Sequence, residues 1–282
     1  MSIKTVGIIG MGTMGNGIAQ VAAATGYKVL VQDRTDELIK KGIGKIEKNL
    51  NRLIEKEKIT AADRDKVLGQ IKPAKRDAFG EADLIIEAIT EDVSEKVKFF
   101  REISEVVSDN TIVASNTSSI SITQLAANTK QPDRFVGMHF FNPVPLMKLV
   151  EIIAGLTTSQ ETSDEATEFA KSLGKTAISV KDSPGFAVNR MLIPMINEAF
   201  FALYEGVASA AEIDEAMKLG CNHPMGPLTL ADFVGLDVAL NALEVLQRDF
   251  GDDKYRPCPL LRKYVEAGHL GRKAGRGVYN YS

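Results

Sequence analysis

The sequence predicts an α/β protein: a doubly wound, mainly parallel sheet followed by an all-helical C-terminal domain. Three observations carry this expectation. Apolar strand-like runs alternate with helical patterns as far as Val180, a glycine-rich turn joins the first run to the first helix, and no strand-like run follows Pro184. The runs are continuously apolar, so both faces of each strand must be covered, as in a parallel sheet between helical layers.

TVGIIG at 5–10 is the first strand, and a helical pattern at 15–26 ends on Gly26. YKVLVQD at 27–33 is the second strand. A long charged helix runs from Asp36 to about Lys58, and another begins near Ala61. ADLIIEAI at 82–89 reads as a buried strand. Asp92 and Glu95 have the spacing of a capping box for a helix over 95–107. TIVAS at 111–115 is a short strand, followed by a helix around 122–129. RFVGMHFF at 134–141 and MKLVEIIAG at 147–155 are two more strands, separated by Asn142-Pro-Val-Pro145. A helix over 163–174 leads to KTAISV at 175–180, the last strand.

At Asp182-Ser-Pro-Gly185 the character changes. From Val188 to Leu203 apolar residues recur at helical spacing, Ser209 and Glu212 form a second capping box, and 229–250 and 260–267 are also helical in pattern. The expected domains are therefore 1–184, carrying the sheet, and 185–282, all helical.

With 282 residues, 44% hydrophobic and 25% charged, the chain can build sizeable cores and has nothing of a disordered composition. A formal charge of −3 without Lys/Arg-rich runs argues against a nucleic-acid partner. An anionic substrate would have to be held by local positive charge. Cys221 and Cys258 form no CxxC, and His139, His223 and His269 lack ligand spacing, so no metal is expected. The opening MSIKTVGIIGMG lacks the features of a secretory leader and no apolar stretch reaches membrane-span length. The expectation is a cytoplasmic protein without a membrane partner.

Gly10-Met11-Gly12-Thr13-Met14-Gly15 follows a strand and opens a helix, the arrangement of a Rossmann-like dinucleotide fingerprint. Gly10 permits the tight turn, Gly12 admits a pyrophosphate close to the backbone, and Gly15 lets helix and strand pack. The helix N-terminus then presents N–H groups to the phosphates. Asp33, ending the second strand, suits the adenosine ribose hydroxyls and repels a 2′-phosphate, favouring NAD over NADP; Arg34 beside it pulls the other way. The fingerprint identifies a cofactor class and not a reaction.

Hydride transfer from a secondary alcohol needs a base matched near neutral pH, and histidine suits it. His139 ends an apolar strand, where a doubly wound sheet places its ligands. If the two strands fold back around Pro145, residues whose numbers sum to 290 lie opposite, and His139 faces Glu151. A carboxylate there would orient the imidazole and select its tautomer. A histidine beside aromatic residues also fits a satisfied core position, but a glutamate in an apolar strand needs a partner. Ser118 and Ser119 end the turn after TIVAS and fit either a substrate oxygen or a helix cap. Asn142 and Asn189 are open in the same way.

SNTSSISI, GMHFFNPVPLMKLVEII, SPGFAVNRMLIPMINEA, NHPMGPL and GRKAGRGVYNY together resemble the 3-hydroxyacyl-CoA dehydrogenase family, over essentially the whole chain. The likeness is greatest to the bacterial 3-hydroxybutyryl-CoA dehydrogenases. The resemblance implies His139 as catalytic base, Glu151 as its partner, Ser118 on the substrate oxygen, and Asn142 and Asn189 at the active site. It also implies cofactor contacts from Glu91 and Lys96. Arg52 and Lys56 match the basic region that family members turn to coenzyme A, with arginine standing at 52 where lysine is expected; a solvated helix face reads identically. Gly277-Val-Tyr279 replaces the more usual Gly-Phe-Tyr. The implied reaction interconverts a 3-hydroxyacyl-CoA and a 3-ketoacyl-CoA with NAD, and the implied assembly is a homodimer through the helical domain. Two other readings fit the residues: a dehydrogenase of a free 3-hydroxy acid or sugar acid, and a non-enzymatic, crystallin-like NAD-binding protein on the same scaffold.

Overall fold

A computed structural model describes residues 3–281. The chain divides into two compact units, residues 1–183 and 184–282.

The first unit is built on one eight-stranded sheet. Its strands are β1 (Thr5–Ile9), β2 (Lys28–Gln32), β3 (Ile71–Pro73), β4 (Leu84–Glu87), β5 (Ile112–Ser115), β6 (Phe135–Phe140), β7 (Leu149–Ala154) and β8 (Thr176–Lys181). The order across the sheet is β3-β2-β1-β4-β5-β6-β7-β8. Every neighbouring pair is parallel except β6 and β7. Strand order therefore reverses at β1, which leaves a crevice beyond the carboxyl ends of β1 and β4. All residues of β4, β5 and β6 are buried, as continuous apolar runs require.

Around the sheet lie α1 (Thr13–Thr25), α2 (Asp36–Glu55), α3 (Ala61–Gln70), α4 (Val93–Ile103), α5 (Ile122–Ala126) and α6 (Gln160–Ser172). Helix α1 ends on Gly26 in the left-handed conformation, φ 104°, with its N–H on the Ala22 and Ala23 carbonyls. Helix α2 turns only one stripe, including Ile39, Ile46 and Leu50, into the core, which accounts for its charged remainder.

Three features differ from the sequence reading. Asp92 caps α4 by accepting from the Glu95 N–H at 2.9 Å, but its own N–H goes to the Thr90 carbonyl, so only half of the expected capping box forms. Thr60 and Asp63 build a complete box on α3 instead. The three-residue edge strand β3 was not foreseen, because three residues carry no readable period.

The second unit is helical: α7 (Val188–Tyr204), α8 (Ala210–Cys221), α9 (Pro227–Val234), α10 (Leu236–Phe250) and α11 (Pro259–Glu266). Ser209 and Glu212 form a complete capping box on α8. The stretch 229–250 is broken between α9 and α10 at Gly235, whose φ of 105° no continuing helix tolerates. Ile196, Phe200, Leu228, Leu236, Leu243 and Leu261 make the core of this unit. Its last residues are tied down by Asp232, 1% exposed, which accepts from the N–H groups of Val278 and Tyr279 and from the Tyr281 hydroxyl. Among the described residues no helix is long and apolar enough to cross a membrane.

Candidate active site

The turn after β1 is shaped by contacts that only glycine permits. Gly10 has φ 90°, and a Cβ there would lie 2.5 Å from the Ala88 carbonyl oxygen; a Cβ on Gly15 would lie 1.7 Å from the Gly10 oxygen. At Gly12 an added Cβ would meet no protein atom within 4 Å, although it faces a cavity of about 760 Å³. Gly10, Gly12, Thr13, Met14 and Asp33 all line that cavity. Helix α1 has no side-chain cap and no acid in its first turn, so its positive end is directed at whatever anion enters. A dinucleotide fits these residues: Gly12 leaves room for a pyrophosphate, and the Asp33 carboxylate on the cavity wall is able to accept from ribose hydroxyls. Asp33 also supports the turn itself, accepting from the Met11 N–H at 2.6 Å and the Arg34 N–H at 2.7 Å. Arg34, Arg76 and Lys98 contribute positive charge to the cavity wall.

Three strands along the sheet from β1, the antiparallel register of β6 and β7 sets His139 opposite Glu151. His139 is 7% exposed and Glu151 fully buried. The His139 Nδ1 lies 2.6 Å from Glu151 Oε2, and the Phe141 ring packs 4.5 Å from the imidazole. A carboxylate on Nδ1 selects the tautomer protonated there and stabilises the imidazolium when Nε2 takes a proton.

The loop after β5 is tied to this pair through Asn116, whose Oδ1 accepts from the Phe140 N–H at 2.9 Å. Ser118 and Ser119 sit in the same loop. Glu91 Oε1 accepts from Thr117 Oγ1 at 2.5 Å, from the N–H groups of Ser118 and Ser119 at 2.8 and 3.2 Å, and from both serine hydroxyls at 3.3 and 3.1 Å. Burial pushes the Glu91 carboxyl up, but the Lys96 charge and these donors outweigh it and hold it below the ordinary carboxylate range.

Lys96 is not at the cavity surface. It is 1% exposed, with Nζ 2.6 Å from the buried Glu87 and 3.4 Å from Glu91. Its apolar neighbours on α4 carry it into the interior, which the charge alone did not reveal. Glu87 was not singled out from sequence, although a carboxylate inside LIIE carries the same signal as Glu151 inside LVEII.

A second cavity, about 320 Å³, brings Asn142 together with Asn16, Asn49 and the cations Lys45, Lys48 and Arg52. The Asn142–Pro143 peptide bond beside it is cis. Lys56 caps the end of α2 and does not line this cavity. Lys45 and Lys48 escaped the sequence reading, yet 45, 48 and 52 share one face of a helix by their spacing. Asn189 lies in the first turn of α7, in the second unit. Among the described residues no group of three His, Cys, Asp or Glu side chains is placed to hold a metal ion.

A dinucleotide-binding crevice and a buried histidine–carboxylate pair on one sheet define a class, the NAD-dependent oxidoreductases acting on CH–OH groups. Residues 5–183 match the family model described as 3-hydroxyacyl-CoA dehydrogenase, NAD binding domain, and residues 185–281 match the C-terminal domain of the same family. The chain belongs to the 3-hydroxyacyl-CoA dehydrogenase family. It is similar to the crystal structure of (S)-3-hydroxybutyryl-CoA dehydrogenase from Ralstonia eutropha, with 57% identity, a TM-score of 0.98 and full coverage of both chains. A probable 3-hydroxybutyryl-CoA dehydrogenase of Deinococcus radiodurans is 54% identical over 98% of this chain and 99% of its own length. The human mitochondrial hydroxyacyl-coenzyme A dehydrogenase is 43% identical over 99% and 91%.

Proposed function

We propose that this chain interconverts (S)-3-hydroxybutyryl-CoA and acetoacetyl-CoA with NAD, with His139 as the acid–base group. The observation that carries the reading is the buried His139–Glu151 pair on the sheet that also forms the dinucleotide crevice. When bound, NAD supplies the hydride acceptor. With Nδ1 engaged by Glu151, proton exchange falls to His139 Nε2, which takes the 3-hydroxyl proton during oxidation and returns it during reduction. Glu151 stabilises the imidazolium, and the Ser118 hydroxyl binds the substrate oxygen. Asn142 and, on its motif match alone, Asn189 complete the proposed set. Lys45, Lys48 and Arg52 offer the phosphates of coenzyme A local positive charge on a chain whose formal charge is −3. Lys56 and the cofactor contact of Glu91 stand on the family likeness.

NADH oxidation with acetoacetyl-CoA, beside free acetoacetate and beside NADPH, tests the reading. Turnover of acetoacetyl-CoA with NADH supports it. Turnover of acetoacetate alone assigns a free-acid dehydrogenase, and NADH binding without turnover of either assigns a non-enzymatic binding protein.

The reading includes a cytoplasmic homodimer formed through the helical unit. Met191, Val207 and Leu219 there are 69, 72 and 78% exposed, apolar side chains that a partner surface would cover. Sedimentation of the full chain at the monomer mass would refute the dimer.

A further inference from the structure

The proposed acid–base chemistry makes no use of the buried Glu87–Lys96 pair. Glu87 ends β4 in the middle of the sheet, fully buried, with Ile9 on one side and Ser115 on the other in register. Its Oε1 accepts from Lys96 Nζ at 2.6 Å and from the Ile89 N–H at 2.7 Å, and its Oε2 accepts from Ser115 Oγ at 2.6 Å. Lys96 reaches on to Glu91 at 3.4 Å, and Glu91 gathers the donors of Thr117, Ser118 and Ser119. One line of charge thus runs from the sheet interior to the serine loop.

A buried ion pair contributes little net stability, because desolvation offsets its attraction, and apolar replacements of equal shape serve as well. Here the lysine is shared between an interior carboxylate and one that is 33% exposed. Lys96 thus links Glu87 to Glu91, whose carboxyl its charge helps to hold below the ordinary range.

We propose that the Glu87–Lys96 pair is a positioning device for the serine loop, holding Glu91 so that it sets the Ser118 hydroxyl for the substrate oxygen. The proposal rests on the assignment of Ser118 made above.

Glu87→Gln alone leaves the buried Lys96 charge with only the 3.4 Å contact to Glu91, so its fold is at risk. The decisive variant is Glu87→Gln with Lys96→Met, which removes both charges and keeps their volume. Melting temperature, NADH affinity by fluorescence titration, and kcat and KM for acetoacetyl-CoA are measured together. A positioning role predicts near-native melting with kcat at saturating NADH reduced at least tenfold. Recovery of kcat to within threefold of the unsubstituted protein would show a purely structural pair and overturn the proposal. Should the double variant not fold, Glu91→Gln answers the same question: a tenfold loss of kcat at saturating NADH, with melting and NADH affinity unchanged, supports the proposal, whereas wild-type kcat or a loss confined to NADH affinity overturns it. Ser118→Ala separates the two layers. Full activity there removes the Ser118 assignment itself, whereas an inactive Ser118→Ala beside a fully active double variant removes only the positioning role.

Discussion

Replacing Glu151 by glutamine removes one charge from the proposed dyad while keeping its shape. The carboxylate is fully buried, and its 2.6 Å contact with His139 Nδ1 offers no path for water between them. Glutamine retains an oxygen that can accept from Nδ1–H, so the tautomer and ring position survive. What disappears is the attraction between carboxylate and imidazolium, which exists only once the ring has taken the substrate proton. With charge centres ~4 Å apart and an effective dielectric of about 20, that attraction is about 4 kcal/mol. At about 1.36 kcal/mol per factor of ten, kcat for oxidation of 3-hydroxybutyryl-CoA should fall roughly a thousandfold. NADH affinity should stay within about threefold, because the cofactor crevice lies around β1. The assay is initial-rate formation of NADH, with fluorescence titration for binding and a melting curve to establish folding. On a His139→Gln background, the same change should cost almost nothing further, since the two residues act as a unit. A folded Glu151→Gln protein with kcat within threefold of wild type, or losses that add in the double variant, would refute the dyad.

Gly12→Ala should fold and melt normally, because its Cβ meets no protein atom, while weakening NADH at least about tenfold by filling the phosphate approach; Gly15→Ala, driven against the Gly10 backbone, should lower the melting temperature as well. Equal NADH affinity for Gly12→Ala and wild type would sink that placement of the pyrophosphate. Asp33→Asn keeps an acceptor for the Met11 N–H and loses the charge that repels a 2′-phosphate, so kcat/KM with NADPH should rise relative to NADH by roughly tenfold or more. An unchanged ratio would mean that another group sets the preference. In the helical unit, burial and then the bond to Asp214 push the Tyr279 hydroxyl up, so the folded state keeps a proton that the unfolded chain releases near its ordinary pKa of about 10. Stability from this group is therefore complete below about pH 10 and declines above it. Tyr279→Phe should lower stability at neutral pH by about 0.5–1.5 kcal/mol and flatten the alkaline fall; denaturant melts at about pH 8 and about pH 11 would show whether it does.

Much of the first unit was legible because its signals repeat inside one element. TVGIIG, GMGTMG and the helix after it announce strand, turn and helix within a few residues of each other. Antiparallel neighbours joined by a short loop are almost as local, so the counting that sets 139 opposite 151 needed only the turn at Pro145, and the register agrees. The break at Gly235 was missed because helical periodicity resumes in phase on both sides of it.

The sequence by itself determined seven of the eight strands, most of the helices, the Ser209–Glu212 cap and the glycine turn, and named His139 and Glu151 as a facing pair, since each depends on spacing along the chain. Only the tertiary structure decided that Glu87 meets Ser115 and Lys96, that Asp33 braces Met11, and that Lys45, Lys48 and Arg52 share a cavity with Asn142. Those meetings join residues of different elements, and their distances follow from strand order and from which helix face turns inward. No local pattern encodes either, because each is settled by the packing of the whole sheet and its helices at once.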